Sequence, residues 1–218
     1  MVIGTAGGVG TSTIARARAR DDGALLIEGS NRMRVQDLLA EERPDQIYDY
    51  YDFLTGSGDD AVIHLESYDL IQGSIFHDLE EVEEERFKER IASLSYDEIV
   101  VDLSRHRDAD LIYWGALADT VYLVSDGSKA SIREMERIRF TFQRHRLMPR
   151  VVAIFNRLKE GEKERIEEEV DFPIEDVYYI EESAHPDFSI KNEKSRIEEK
   201  EASKKKSFWD FFKPKNRQ

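Results

Sequence analysis

The sequence predicts an α/β domain with a mostly parallel, twisted sheet and helices on both faces. Three observations support this fold class. Short apolar runs alternate along the chain with longer segments of helical periodicity, which is typical of parallel sheets. Several of these runs are rich in β-branched residues, as strands buried on both faces usually are. A glycine-rich loop separates the first run from the first helix, as in many nucleotide-binding folds of this class.

Each predicted strand contains a short apolar run; the strands cover residues 1–5, 24–28, 61–65, 98–103, 120–125 and 150–156. Helices are predicted between them over residues 12–22, 32–42, 78–94, 109–119 and 130–146. We predict one domain over residues 1–190, a charged helix or linker over 191–206 and a separate tail over 207–218.

Composition limits the classes of protein to consider. The chain has 218 residues, of which 40% are hydrophobic, enough for one well-buried domain. It contains no cysteine, which excludes thiol catalysis and zinc–thiolate sites and favours a reducing cytoplasm. We find no signal peptide and no apolar run of about 20 residues, the length that spans a bilayer. The net charge of −14 argues against general nucleic-acid binding.

The loop "GTAGGVGTSTIARA" has the glycines of a phosphate-binding loop but no lysine. Gly7, Gly8 and Gly10 let backbone N–H groups approach phosphate oxygens, and the helix N-terminus adds positive potential. Ser12 stands where a hydroxyl would bind Mg²⁺, and Asp102, at the end of a predicted strand, could hold the metal's water shell. An alternative interpretation is that the glycines only make a tight strand-to-helix turn.

Together these segments resemble the MinD/ParA family of deviant P-loop ATPases, over nearly the whole chain. "AGGVGTST" stands where the family has Lys-Gly-Gly-Val-Gly-Lys-Thr-Thr, and "YDEIVVDLS" is similar to its Walker B strand. "LLIEGSNRMRVQDLL" resembles its second strand, and "ADTVYLVSDGSKASIREMERI" resembles a later strand–loop–helix segment. The "NR" of "FNR" matches an Asn-Arg pair that contacts adenine in relatives.

The resemblance implies a P-loop NTPase fold, a homodimer, and ATP or ADP with Mg²⁺ as cofactors. The implied nucleotide-binding residues are Gly7, Gly8, Val9, Gly10, Thr11, Ser12, Thr13, Asn156 and Arg157, and the implied metal-binding residues are Ser12 and Asp102.

Departures from the family pattern predict weak or absent hydrolysis. The family's signature lysine corresponds to Ala6 and the ordinary P-loop lysine to Thr11. The family has two aspartates in and after its second strand, and the second aspartate orients the attacking water. Glu28 and Ser30 stand at these two positions. Lysine supplies charge during phosphoryl transfer, so its loss reduces transition-state stabilisation more than ground-state binding.

A loop of this kind without lysine resembles the TadZ/CpaE-like branch, which localises and assembles Tad-type (Flp) pili. The resemblance implies an ATP-binding scaffold that recruits pilus and secretion proteins. Many members carry an N-terminal receiver-like domain; we expect none here, because the sequence starts directly at the first strand. Two alternatives remain open: an active MinD/ParA-type ATPase that positions poles, division sites or flagella, and a nucleotide-free pseudo-ATPase that acts as an interaction protein.

The last 16 residues, 203–218, carry six Lys/Arg against one acidic residue. At 100° per residue, the aromatic side chains share an arc of roughly 160°, and Pro214 stops the helix. Such basic amphipathic segments lie in membrane interfaces. The predicted membrane-binding residues are Lys204, Lys205, Lys206, Phe208, Trp209, Phe211 and Phe212. This tail predicts a cytoplasmic protein, peripheral on the inner face of the plasma membrane. Alternatively, the tail docks on its own domain or on a partner protein.

Other basic residues are open to two interpretations. An arginine could replace the missing lysine; the candidates are Arg16, Arg18, Arg20, Arg105 and Arg107, although ordinary surface positions are the simpler explanation. The predicted helix over 130–146 is also rich in arginine, but its interspersed glutamates and the acidic body make DNA binding a minor hypothesis. The five histidines show no metal-ligand spacing and are interpreted as structural.

Overall fold

The computed structural model describes residues 1–29, 48–58, 60–74, 76–159 and 161–181. The predicted helix over 32–42 falls outside these residues, as do Ser30, the predicted linker and the predicted membrane-binding tail. Within the described part, no helix is both long enough and apolar enough to cross a membrane.

One sheet of eight strands organises the domain. The strands are β1 (Val2–Gly4), β2 (Leu25–Glu28), β3 (Val62–His64), β4 (Asp69–Ile71), β5 (Ile99–Leu103), β6 (Thr120–Ser125), β7 (Arg150–Leu158) and β8 (Asp176–Glu181). Their order is β3-β4-β2-β5-β1-β6-β7-β8. The β3–β4 pair is antiparallel and every other pair is parallel, which confirms the predicted fold class.

The helices are α1 (Thr11–Asp22), α2 (Tyr50–Thr55), α3 (Glu84–Ala92), α4 (Asp108–Gly115), α5 (Lys129–Arg144) and α6 (Glu162–Glu169), with a 3₁₀ turn at Leu79–Glu81. The single helix predicted over 78–94 is therefore wrong. Val82 and Glu83 adopt extended backbone conformations, and Val82 is buried, so the 3₁₀ turn and α3 are separate. The prediction also missed four short elements: α2, β4, α6 and β8.

Helices cover both faces of the sheet. Helix α1 packs on one face through Ile14, Ala15 and Ala19, and the two alanines have no exposed surface. The other five helices contribute to a larger core on the opposite face, where Phe87 of α3 and Trp114 of α4 are buried together. The absence of bulky side chains at Ala15 and Ala19 lets α1 approach the sheet closely.

The strand order reverses beside β1, because β1 lies between β5 and β6. The carboxyl ends of β1, β5, β6 and β7 therefore meet at one edge of the sheet. Ligands of open parallel sheets bind at such a switch point. The glycine-rich loop that joins β1 to α1 lies there.

Candidate nucleotide-binding site

The loop from Thr5 to Gly10 has a conformation that requires glycine at two positions. Gly8 has φ 82° and Gly10 has φ 93°, both in the left-handed region that glycine adopts at little cost. Gly10 also precedes the first residue of α1, and its carbonyl accepts a hydrogen bond from Ile14 N at 3.0 Å. At Gly7 and Gly8, an added Cβ would meet no atom within 4 Å. The middle of the loop is therefore open to an incoming ligand.

Thr5 anchors the start of the loop. Its backbone N and its Oγ1 both donate to Val124 O, at 3.0 and 2.9 Å. Counted back from Gly10, Thr5 occupies the first glycine position of the G-x-x-x-x-G-K-[ST] pattern. The sequence analysis did not identify this residue, although the same count would have found it.

Thr11 occupies the position of the P-loop lysine, and its side chain lies beneath the loop. It is buried, and a Cβ on Gly4 would overlap with Thr11 Oγ1. The hydroxyl thus packs against β1, and the short side chain supplies no charge. Ser12 and Thr13 follow in the first turn of α1 and are half-buried.

Asn156 and Arg157, at the end of β7, contact the loop itself; we call this pair the β7 clamp. Asn156 Nδ2 is buried and donates to Val9 O at 2.8 Å, and it lies 2.5 Å from the position of a Cβ on Gly10. Arg157 Nη1 donates to Gly8 O at 2.9 Å. The resemblance implies that both residues contact adenine; the structure shows both in contact with the loop.

An irregularity in β7 directs the clamp toward the loop. Arg157 has φ 61°, which is unusual for a residue with a side chain, and the pairing of β7 with β8 shifts register between Asn156 and Leu158. Bulges of this kind re-aim side chains and are common next to active sites.

Two buried carboxylates occupy the β5 side of the site. Asp102 and Glu28 are each 1% exposed and lie opposite each other in the β2–β5 register, so their side chains share one face. Glu28 Oε2 accepts a hydrogen bond from Gly73 N at 3.0 Å. Glu28 therefore positions the segment after β4.

The available oxygen donors fit Mg²⁺. Mg²⁺ keeps several waters and binds through one or two carboxylates plus substrate phosphates. The Ser12 hydroxyl and the Asp102 carboxylate are donors of this kind, on the elements that flank the loop. The described residues contain no group of three or more His, Cys, Asp or Glu side chains that could hold a metal. Among the described residues, Ser12 and Asp102 are therefore the donors offered to a metal that also binds phosphate and water.

The segment after β5 lies against the start of the loop. His106 Nε2 is 3.3 Å from Gly4 O, and Ser104 O is 3.4 Å from the position of a Cβ on Gly4. Burial lowers the pKa of His106. This histidine was interpreted only as structural, and nothing in its sequence spacing indicates the contact with Gly4.

The arginines proposed as substitutes for lysine fall into different environments. Arg107 forms ion pairs with Asp78 and Glu80, and Arg18 with Glu98 at 3.1 Å. Arg105 is exposed and has no hydrogen bond or ion pair with the described residues.

Solved structures of MinD/ParA-type P-loop ATPases have the same fold. A plasmid partition protein from Borrelia burgdorferi, bound to AMPPNP, superposes with a TM-score of 0.69 at 19% identity, covering 84% of each chain. The septum site-determining protein MinD from Pyrococcus horikoshii, complexed with Mg-ADP, has a TM-score of 0.62 at 18% identity, over 82% of this chain and 79% of that one. McdA from Cyanothece, in complex with ATP, has a TM-score of 0.64 at 16% identity, over 84% and 83%.

No protein-family model and no curated protein matches the chain. The likeness to the solved structures establishes the fold.

Proposed function

We propose that this chain is an ATP-binding scaffold that holds the nucleotide with Mg²⁺ in the glycine-rich loop and hydrolyses it slowly or not at all. The observation that carries this proposal is a glycine-rich loop that is held in shape by hydrogen bonds but has no lysine. Thr5 and the β7 clamp hold the loop open, while Thr11 lies buried beneath it.

Each part of the site has a separate task in this proposal. The backbone N–H groups of the loop and the N-terminus of α1 bind the β-phosphate. Ser12 and Asp102 hold Mg²⁺, which neutralises charge on the phosphates. Asn156 and Arg157 border the base. Neither Ala6 nor Thr11 supplies a lysine charge to the transferring phosphate, and phosphoryl transfer depends mainly on such electrostatic stabilisation.

Nucleotide titration of the full chain tests this proposal. We expect saturable binding of ATP and ADP that is stronger with Mg²⁺ than with EDTA, and we expect Asp102→Asn to remove most of the Mg²⁺ dependence. Phosphate release should stay near the no-enzyme background. Absence of binding at millimolar nucleotide would overturn the proposal and favour a nucleotide-free interaction protein. Rapid turnover stimulated by lipid or a partner would instead favour an active MinD/ParA-type ATPase.

We also propose attachment to the inner face of the plasma membrane through the basic aromatic tail. The support is sequence-based: Phe208, Trp209, Phe211 and Phe212 share one helical arc beside three lysines. A homodimer formed around nucleotide would present two tails and bind more tightly than one copy.

Co-sedimentation of the full chain with anionic liposomes tests the tail. Phe208→Glu/Phe212→Glu should abolish binding because it places two charges on the apolar arc. Ser207→Glu/Gln218→Glu adds the same charge away from the aromatic side chains and should bind better than the first variant. If both variants sediment with liposomes as much as the unaltered chain does, the tail is excluded as the anchor.

A role in assembly of Tad-type pili is the most specific part of this proposal, and it rests on the resemblance of the lysine-free loop to the TadZ/CpaE-like branch. We expect deletion of the gene to abolish surface pili and leave division-site placement unchanged. Normal piliation with misplaced division sites would contradict this role and favour the positioning ATPases.

A further inference from the structure

We propose that Arg105 binds the γ-phosphate of ATP and replaces the positive charge that lysine supplies in ordinary loops. This inference rests on the proposed function, because it names a residue of the same nucleotide site. ATP brings several negative charges to a chain whose net charge is already −14. In the absence of Lys at positions 6 and 11, the loop has only backbone dipoles to offset them.

Most described cations near this edge of the sheet are engaged elsewhere or lie farther from β1. Arg157 donates to the carbonyl of Gly8, and Arg107 is held by Asp78 and Glu80. Lys129, at the start of α5, lies 3.6 Å from Glu169. Lys159 follows β7, two strands away from β1. Among the described residues, these four cations are therefore engaged by other groups or lie farther from β1 than Arg105 does.

Arg105 follows β5, the strand next to β1, and its two neighbours in the chain both lie against Gly4 at the end of β1. Ser104 O approaches Gly4 from one side, and His106 Nε2 lies 3.3 Å from Gly4 O on the other. The backbone of Arg105 is thus held beside the residue from which the loop departs. Its side chain is exposed and has no hydrogen bond or ion pair with the described residues.

The chemistry of the side chain suits a phosphate ligand. Guanidinium presents its N–H donors in a planar fork that matches phosphate oxygens, and hydrogen bonds between charged groups are stronger than neutral ones. Arg105 follows Asp102 by three residues, so the metal and the guanidinium would reach the same end of the nucleotide. Arg105 should therefore distinguish ATP from ADP.

Calorimetric titration with Mg-ATP and Mg-ADP tests this assignment on the full chain. Arg105→Gln should weaken ATP binding about tenfold or more and change ADP binding much less. Arg105→Lys should recover part of the loss, because it restores the charge without the planar fork. Arg107→Gln is the matched control: it removes an equal charge two residues away, from a side chain already paired with Asp78, and should leave the ATP-to-ADP affinity ratio unchanged.

The result that would overturn the inference is an Arg105→Gln protein with the same ATP-to-ADP affinity ratio as the unaltered chain. Thermal unfolding provides a control for folding, since substitution of an exposed side chain that pairs with none of the described residues should not change the melting temperature. A chain that binds neither nucleotide before any substitution would refute the proposed function, and this inference with it. The two failures are therefore distinguishable.

Discussion

The two sides of the glycine-rich loop differ in what they contribute. On the β7 side, Asn156 and Arg157 donate hydrogen bonds to the loop's own carbonyls, Val9 O and Gly8 O. On the β5 side lie the buried carboxylate of Asp102 and the exposed guanidinium of Arg105, which has no hydrogen bond or ion pair with the described residues. The β7 side therefore maintains the shape of the loop, and the β5 side carries the groups that we propose for a metal and for phosphate. This division explains how a loop without lysine holds its conformation.

The largest effect should come from Gly10→Ala, which disrupts the shape of the loop. A Cβ there would lie 2.5 Å from Asn156 Nδ2, at a residue with φ 93°. Backbone strain and displacement of the Asn156 hydrogen bond should together lower the free energy of unfolding by about 3 kcal/mol, measured in urea. Gly7→Ala is the matched control, since an added Cβ meets no atom within 4 Å there and φ is not positive. Equal losses in the two variants would contradict our account of the loop.

Asn156→Ala should have the next largest effect, because it removes the buried half of the β7 clamp. Val9 O would lose its donor, and a buried carbonyl without a partner costs about 1–3 kcal/mol. Urea unfolding should show this loss, and nucleotide affinity should fall with it because the loop is no longer held. If Asn156→Ala changes neither quantity, the loop does not depend on β7 for its shape.

Arg157 tests the exposed half of the clamp. Arg157→Gly and Arg157→Ala both remove the hydrogen bond to Gly8 O, but only glycine relieves the strain of φ 61°. We expect the glycine variant to be more stable than the alanine variant by about 1 kcal/mol in urea unfolding. Equal stability would mean that the left-handed backbone at this residue stores no measurable strain.

The sequence predicted those parts of the fold that depend on long apolar runs. Strands β1, β2, β5, β6 and β7 were all found, since their side chains are buried on both faces. Strand β4 has two apolar residues, Leu70 and Ile71, between polar neighbours, and α6 buries one residue, Ile166, among charged ones. The break at Val82 was missed because burial of that side chain, and not helix propensity, determines the local backbone.

The candidate site likewise combines positions that the sequence indicates with contacts that it does not indicate. The glycines and Ser12 belong to one motif with fixed spacing, and Asp102 ends a predicted strand, so their places at the carboxyl edge of the sheet could be predicted. The contacts of Asn156 and Arg157 with the loop depend on a register shift between β7 and β8, and the contact of His106 depends on the pairing of β5 with β1. Such contacts join residues about 100 or more positions apart and leave no local pattern.

The smallest expected effect concerns pH and tests the β5 side. Burial lowers the pKa of His106 below its ordinary value of 6.5, and the charge of Arg137 lowers it further. Glu134, Asp108 and the contact with Gly4 O raise the pKa and offset part of this shift. The unfolded chain therefore binds a proton more readily than the folded one in the pH range just below 6.5. The contribution of neutral His106 to stability is fully present above that pH and is lost as the pH falls toward the folded-state pKa.

His106→Gln should remove this contribution to the pH dependence, because glutamine keeps a donor for Gly4 O and does not titrate. Urea unfolding at pH 7.5 and 5.5 should show a smaller loss of stability on acidification for this variant than for the unaltered chain. His145→Gln, at an exposed residue on the far end of α5, controls for the loss of one histidine. An unchanged slope in His106→Gln would mean that burial does not lower the pKa of His106 in the folded chain.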